Sequence, residues 1–553
     1  MDREFFRTLR RLLFVLALGL LASAGAQAVV RTFNPHAPAS IGAGGHASGP
    51  GGGVGVSAVA SPPVVYSGCE LPGTPNNIWY FDAVNGNDVS GDGSSAHPWQ
   101  SLNNIAAPAN GNGPLLSSVS WWHRGADTIW TTDNSSAPIK PGDGILLRSG
   151  NYGEVNIGVS GASIVQSSWI TIQPAPNATV FLQKMKVYGE RFYFNRITVE
   201  EQSSGSSDFT PRVLLSGDNF IFSNSVIDSV ADASSWNETQ WTTQIAFLGF
   251  EVQATCASIN NNLIRNVING LKTESPSAQV LVANNEFRYV AWDFIDVFAT
   301  NYMLISKNLF LDHIQIYDQN AYHADVVQIQ GGVASNYVVI DANFVNQITR
   351  ANLFWPSAGM GGQYNNDLHG FTDFGQTVGG GLGYVVSNNV VITNASDGIY
   401  FAYSAAEISG NTVVGNTGTT GNTRIEADIS GSLVRNNITN ILKVSFAGVT
   451  ADHNILNSQL NINGAWYNAP GSYFQTYFGN YVDGNQFTDL FTHFDPQNYY
   501  FDMTLNTGGG NPATGAGSAS VSSPYDIRGA TRASPPSIGA YEASSTGVVI
   551  PSN

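Results

Sequence analysis

Residues 261–310 read NNLIRNVINGLKTESPSAQVLVANNEFRYVAWDFIDVFATNYMLISKNLF, and within them Asn262, Asn285 and Asn308 recur at steps of 23 residues, each followed by apolar residues. The same mark stands at Asn224, Asn343, Asn389, Asn411, Asn437 and Asn454; the step from 343 to 389 is twice 23, and insertions lengthen others. A recurring period of this length is the signature of a solenoid. Each repeat has room for two or three short runs rich in Val, Ile and Phe, bounded by turn residues. The economical solution is a coil of strands in which successive turns pair about 4.8 Å apart and like residues stack. Asn suits such a column, because it tolerates left-handed turns and its amide bonds to rungs above and below. A leucine-rich or helical solenoid does not fit, since Leu holds no fixed position and no 3.6-residue period persists. The predicted fold is all-β, a single-stranded parallel β-helix.

Outward from the repeats, the chain divides. Residues 1–28 carry Arg3, Arg7, Arg10 and Arg11 ahead of an apolar run and end in Ala26-Gln27-Ala28, the pattern of a secretory signal peptide, so the expected location is secreted, periplasmic or extracellular. The apolar run is too short to span a bilayer, and none follows that is long enough, so no membrane partner is expected after cleavage. Residues 29–75, rich in Gly, Ala, Ser and Pro, read as a disordered linker, 76–543 as the β-helix and 544–553 as a tail. Losing the leader takes the formal charge from −17 to about −19. With Lys140, Lys184, Lys186, Lys272, Lys307 and Lys443 isolated along the chain, nucleic acid is not an expected partner. An acidic glycan would need local Arg or bound Ca²⁺ to reverse the field. The two cysteines, Cys69 and Cys256, permit one disulfide or a buried free thiol at Cys256.

Three stretches together resemble a family. IWYFDAVNGNDVSGDGSSAHPWQSL at 78–102, KPGDGILLRSGNYGEVNI at 140–157 and the Asn repeats are similar to the pectate-lyase-like right-handed parallel β-helix superfamily, and DIRGATRASPPSIGAYE at 526–542 resembles its closing coil. The resemblance implies a right-handed helix, an N-terminal cap with a helix around 101–106, and a polysaccharide partner. It leaves the reaction open, because one fold hosts lyases, epimerases, hydrolases and adhesins.

Aligning coils on the ladder Asn places DFIDVF (293–298), DVVQIQ (325–330) and DGIYFA (397–402) in equivalent strands. Alternation turns Asp296, Gln328 and Tyr400 outward and sets Asp293, Asp325 and Asp397 at the strand starts. Asp293, Asp296 and Asp325 are the expected ligands of Ca²⁺. His323 or Tyr322, in an insertion with His313, Tyr317 and Asp318, is the candidate base, and Arg350 the candidate partner of a uronate carboxylate. Gln328, Trp292, Trp355 and His369 are candidate substrate contacts, His369 on a loop with Asp367 and Asp373; Trp236 and Trp241 also fall near this face. Asn85, Asp88 and Asp92 form a weaker Ca²⁺ candidate. The expected activity is a lyase or C5 epimerase on an acidic, uronate-containing polysaccharide; the rival is a non-catalytic glycan-binding or adhesive β-helix. The Asn-x-Asp, Asp-Asp, Gly-His-Gly pattern of β-helix hydrolases is absent.

Overall fold

In the sheet that carries Asp296, successive side chains point alternately into and out of the coil. In Ile295–Phe298 the residues Ile295 and Val297 point into a dry interior, and above and below them stack Leu271, Val327, Phe371, Ile399, Ile425, Leu442 and Leu460, all buried. Each such side chain contributes about 1.5–3 kcal/mol by leaving water. The computed structural model describes residues 66–102, 123–124, 130–131 and 137–543, apart from internal stretches at 159, 161–162, 203–208, 234, 276, 315–323, 348–367, 375–379, 394, 416–422, 445–447, 469–489, 496–499, 507–510 and 521–522. The leader, most of the linker, the 103–106 end of the expected cap helix and the tail lie outside the described residues.

A full coil contributes three strands, and each pairs in parallel with its counterpart on the next coil. Ile295–Phe298 pairs with Ala324–Gln330, Thr300–Ser306 with Asn336–Asp341, and Leu309–Leu311 with Phe344–Asn346. Repeated along the chain, this pairing joins 31 of the described strands into one parallel β-helix. It ends where Ile455–Ile462 pairs antiparallel with Ala465–Asn468. The segment 526–542 does not form a further coil. Ile538, Ala540 and Tyr541 pack with Leu490, Phe491 and Met503 onto the outer faces of Val390, Val414 and Ile438, while Arg532 donates to Asn388 Oδ1 at 2.7 Å.

The asparagine ladder is continuous. The Asn262 backbone N–H and Nδ2 both donate to Asn285 Oδ1, at 2.9 and 3.1 Å, and Nδ2 also reaches the Phe222 carbonyl. The pattern repeats through Asn308, Asn343, Asn389, Asn411 and Asn437 to Asn454. Two sequence expectations change. Asn343 bonds directly to Asn389 at 2.9 Å, so the 46-residue step is one coil with an insertion, not two coils. Asn224 is not a rung: Ser225 donates its N–H to Asn262 Oδ1, and Asn224 occupies the position before it. That preceding position carries the left-handed bend, at φ between 54° and 68° in Asn224, Asn261, Asn284, Lys307, Ala342, Asn388, Gly410, Asn436 and His453. The ladder Asn is left free to stack.

At the N-terminal end, Trp99 and Leu102 are buried with Phe81 of the first strand. Asp88 accepts N–H bonds from Gln100 and Ser101, and Asp92 accepts one from Ser94, so this acidic turn is occupied with its own backbone. Cys69 and Cys256 are joined in a disulfide, with Cα atoms 5.5 Å apart, which removes the free-thiol alternative. Residues 66–75, read as linker, are therefore fastened to the helix, and Tyr66 is buried.

Candidate active site

The register across the strand-start sheet draws one outward column from residues far apart in sequence. It runs Asn156, Lys186, Leu214, Glu251, Lys272, Asp296, Gln328, Thr372, Tyr400, Glu426, Lys443, Asn461, one residue per coil. Asp296, Gln328 and Tyr400 stand in it as alternation requires, with one coil between the latter two where the doubled 343-to-389 step implied two. That coil supplies the strand Leu368–Thr372, so His369 sits on a strand, level with Asp325, and not on an overhanging loop. Gly370 permits this. A Cβ there would lie 1.8 Å from the Gly398 carbonyl oxygen, so only glycine lets these two rungs close.

Asp293, Asp296 and Asp325 converge and are almost completely buried, at 3, 4 and 0 % exposure. Asp293 Oδ1 accepts the Asp325 N–H at 2.8 Å, and the Asp293 and Asp296 carboxyls share a hydrogen bond. Asp325 accepts from Gln328 Nε2 at 2.9 Å and from the Thr372 hydroxyl at 2.8 Å; Asp296 accepts from Gln330 Nε2 at 2.7 Å. Burial, then the neighbouring Asp296 and Asp325, hold the Asp293 carboxyl well above the ordinary carboxylate range. Burial also raises Asp296, to about 6, against the pull of Gln330 and the Lys272 ammonium. The pair thus keeps a proton where an ordinary Asp has lost it.

Beyond Thr372 the face changes character. His369 Nδ1 lies 3.3 Å from Asp397 Oδ2, Arg424 reaches Asp397 Oδ1 at 2.7 Å and Glu426 Oε2 at 2.6 Å, and Lys443 pairs with Glu426. Burial opposes charge on Asp397, yet His369 and Arg424 outweigh it and leave the carboxyl below its usual range. The Tyr400 and Phe374 rings lie 4.7 Å apart beside this network. Asp373, raised to about 7 by burial, accepts the Ala402 and Tyr403 N–H groups and serves the turn there.

Of the remaining candidates, Gln328 is turned onto Asp325, and Trp292 packs partly buried between two apolar clusters. Trp236 and Trp241 are buried with Ile268, Ala291 and Ile314, Trp241 on the short helix Glu238–Thr243 that Asn237 and Gln240 cap reciprocally. His313 is buried as well, which pushes its imidazole down to about 4. Tyr317, Asp318, Tyr322, His323, Arg350, Trp355 and Asp367 lie outside the described residues.

The Ca²⁺ expectation meets a donor set that is already committed. The three Asp offer oxygens to one another, to Gln328, Gln330, Thr372 and a backbone N–H, and one carboxyl keeps a proton. Among the described residues no group of three or more His, Cys, Asp or Glu is placed to hold a metal ion. Sequence reasoning passed over Lys272, Arg424, Glu426 and Lys443. Four of the chain's six lysines, Lys184, Lys186, Lys272 and Lys443, belong to this one sheet. Only the inter-coil register, hidden behind insertions of unequal length, reveals it.

No family model and no curated protein matches the sequence. Among solved structures the chain is similar to pectate lyase Pel9A, at 16% identity and TM-score 0.43, covering 85% of this chain and 96% of that one. It is also similar to the GH136 lacto-N-biosidase of Eubacterium ramulus (11% identity, TM-score 0.40, 70% and 68% coverage). A third is a mannuronic acid specific polysaccharide family 6 lyase from human gut microbiota (16%, 0.33, 59% and 77%). Identities and scores this low transfer neither residue roles nor a reaction.

Proposed function

We propose that this protein is an exported enzyme that cleaves an acidic polysaccharide, with Asp293 and Asp296 as its acid–base pair and Asp325 holding them in place. The observation that carries the reading is the proton-sharing pair on the outward face of the helix. A passive binding surface has no use for three carboxyls buried together, since each costs several kcal/mol to desolvate. Strongly shifted carboxyls gathered at one place are what proton transfer requires. In a β-elimination, Asp296 takes the proton beside the uronate carboxyl, the glycosidic C–O bond breaks as the double bond forms, and Asp293 returns a proton to the departing oxygen. Lys272, one rung from Asp296, offsets the charge that develops on the uronate. Epimerisation would use the same first step without bond cleavage. The disulfide and the signal-like leader are those of an exported chain.

Hydrolysis is the second reading, favoured by the same acid and base when water is the nucleophile. The test is incubation with polygalacturonate, alginate and glycosaminoglycans, following ultraviolet absorbance of unsaturated ends and total reducing ends. Absorbance that Asp296→Asn abolishes supports elimination; reducing ends without absorbance replace it with hydrolysis; neither signal from any polymer overturns the proposed cleavage. Added chelator should leave the rate unchanged.

A further inference from the structure

We infer that the face around Tyr400 is a separate sugar-binding subsite for an acidic residue of the glycan, three coils from the acid pair, so that the substrate is a polymer and not a short oligosaccharide. The inference rests on the functional reading above for its ligand class, but on different residues. Tyr400 shares the outward column with Asp296, separated by Gln328 and Thr372. Three rungs of a parallel sheet span about 14 Å. An extended glycan that reaches from one to the other must therefore be several sugars long.

The patch has two layers. Its floor is anionic and dry: Asp397 and Glu426 are buried. Its outer layer is cationic and aromatic, with His369, Arg424 and Lys443 each 17–28 % exposed beside Tyr400 and Phe374. The floor carboxylates fix the heads of Arg424 and Lys443, so ordering them for a ligand costs little additional entropy. Partly exposed Arg and Lys heads suit a carboxylate, and the Tyr400 ring offers an apolar platform for a pyranose face. Half-buried Asp428 also acts on Tyr400, so the outer layer holds one acid beside its basic groups.

The experiment is titration calorimetry of the full chain with galacturonate and alginate oligomers of increasing length, using neutral xylo-oligomers as control, on wild type, Tyr400→Ala, Tyr400→Phe, Lys443→Gln and Asp296→Asn. Wild-type affinity should rise with length for acidic oligomers only. Tyr400→Ala should lose about tenfold on the longer ones and nothing on the shortest, with Tyr400→Phe restoring it. Lys443→Gln should narrow the preference for acidic over neutral chains. Asp296→Asn should keep full affinity. Equal binding of all lengths by Tyr400→Ala and wild type, or neutral oligomers bound as well as acidic ones, overturns the subsite. If Asp296→Asn still turns over polymer while Tyr400→Ala loses affinity, the acid-pair assignment fails and the subsite stands.

Discussion

Asp296 shows what a single side chain carries in this fold. Its carboxyl is raised from an ordinary 3.8 to about 6, so the folded state holds a proton that the unfolded chain releases. Stability from this group is complete below about pH 4 and is lost as pH rises through about 6. Asp296→Asn removes that loss. Chemical denaturation should find the variant more stable than wild type by about 1–3 kcal/mol at pH 8 and little changed at pH 4, while activity disappears. The activity profile follows from the same pair. The specificity constant kcat/KM should climb as Asp296 ionises near pH 6 and fall at higher pH as Asp293 gives up its proton, a bell belonging to the pair as a whole. A flat profile across that window would remove the pair from the chemistry. The sequence showed these Asp at suitable spacing; their commitment to each other could not be read there, because it depends on hydrogen bonds between coils.

At the scale of the element, the turn before each ladder Asn divides two tasks between neighbouring residues. Asn389 is fully buried and receives both the backbone N–H and the Nδ2 of Asn343. Asn389→Ala strands those donors and deletes two further bonds, to the Ile340 carbonyl and to Asn411. A cost of about 2–4 kcal/mol is expected, read as a lowered thermal transition. Ala342, at φ 57°, holds the bend without the conformational freedom of glycine. Ala342→Gly should raise stability by about 0.5–1 kcal/mol, since the left-handed strain outweighs the added entropy of the unfolded chain. The ladder was legible because its period survives in the sequence. The 46-residue step was misread because period alone cannot tell an inserted loop from a second coil.

Across the whole molecule, the coils contact only their neighbours, so long-range ties matter more than in a layered domain. Cys69–Cys256 is such a tie, spanning 187 residues of sequence and holding the segment ahead of the first strand against a middle coil. Replacing Cys256 by Ser should cost about 2–4 kcal/mol and open the chain near residues 66–75 to limited proteolysis. Thiol titration of the denatured, unreduced wild type should count none. A cleavage pattern identical to that of wild type would show that packing of Tyr66 alone anchors the segment. The C-terminal stretch acts at the same scale. It lies over the outer faces of Val390, Val414 and Ile438, apolar residues that a bare solenoid would expose to water.

By itself the sequence determined the parallel β-helix, the position of the ladder and the outward direction of Asp296, Gln328 and Tyr400, because each follows from period and alternation along the chain. Tertiary structure decided which coils are adjacent. That choice alone brought His369 to Asp397, stacked Lys186, Lys272 and Lys443 in one column, and pressed three carboxyls together until one kept its proton. Contacts between coils depend on how insertions are looped out, and no local pattern records that.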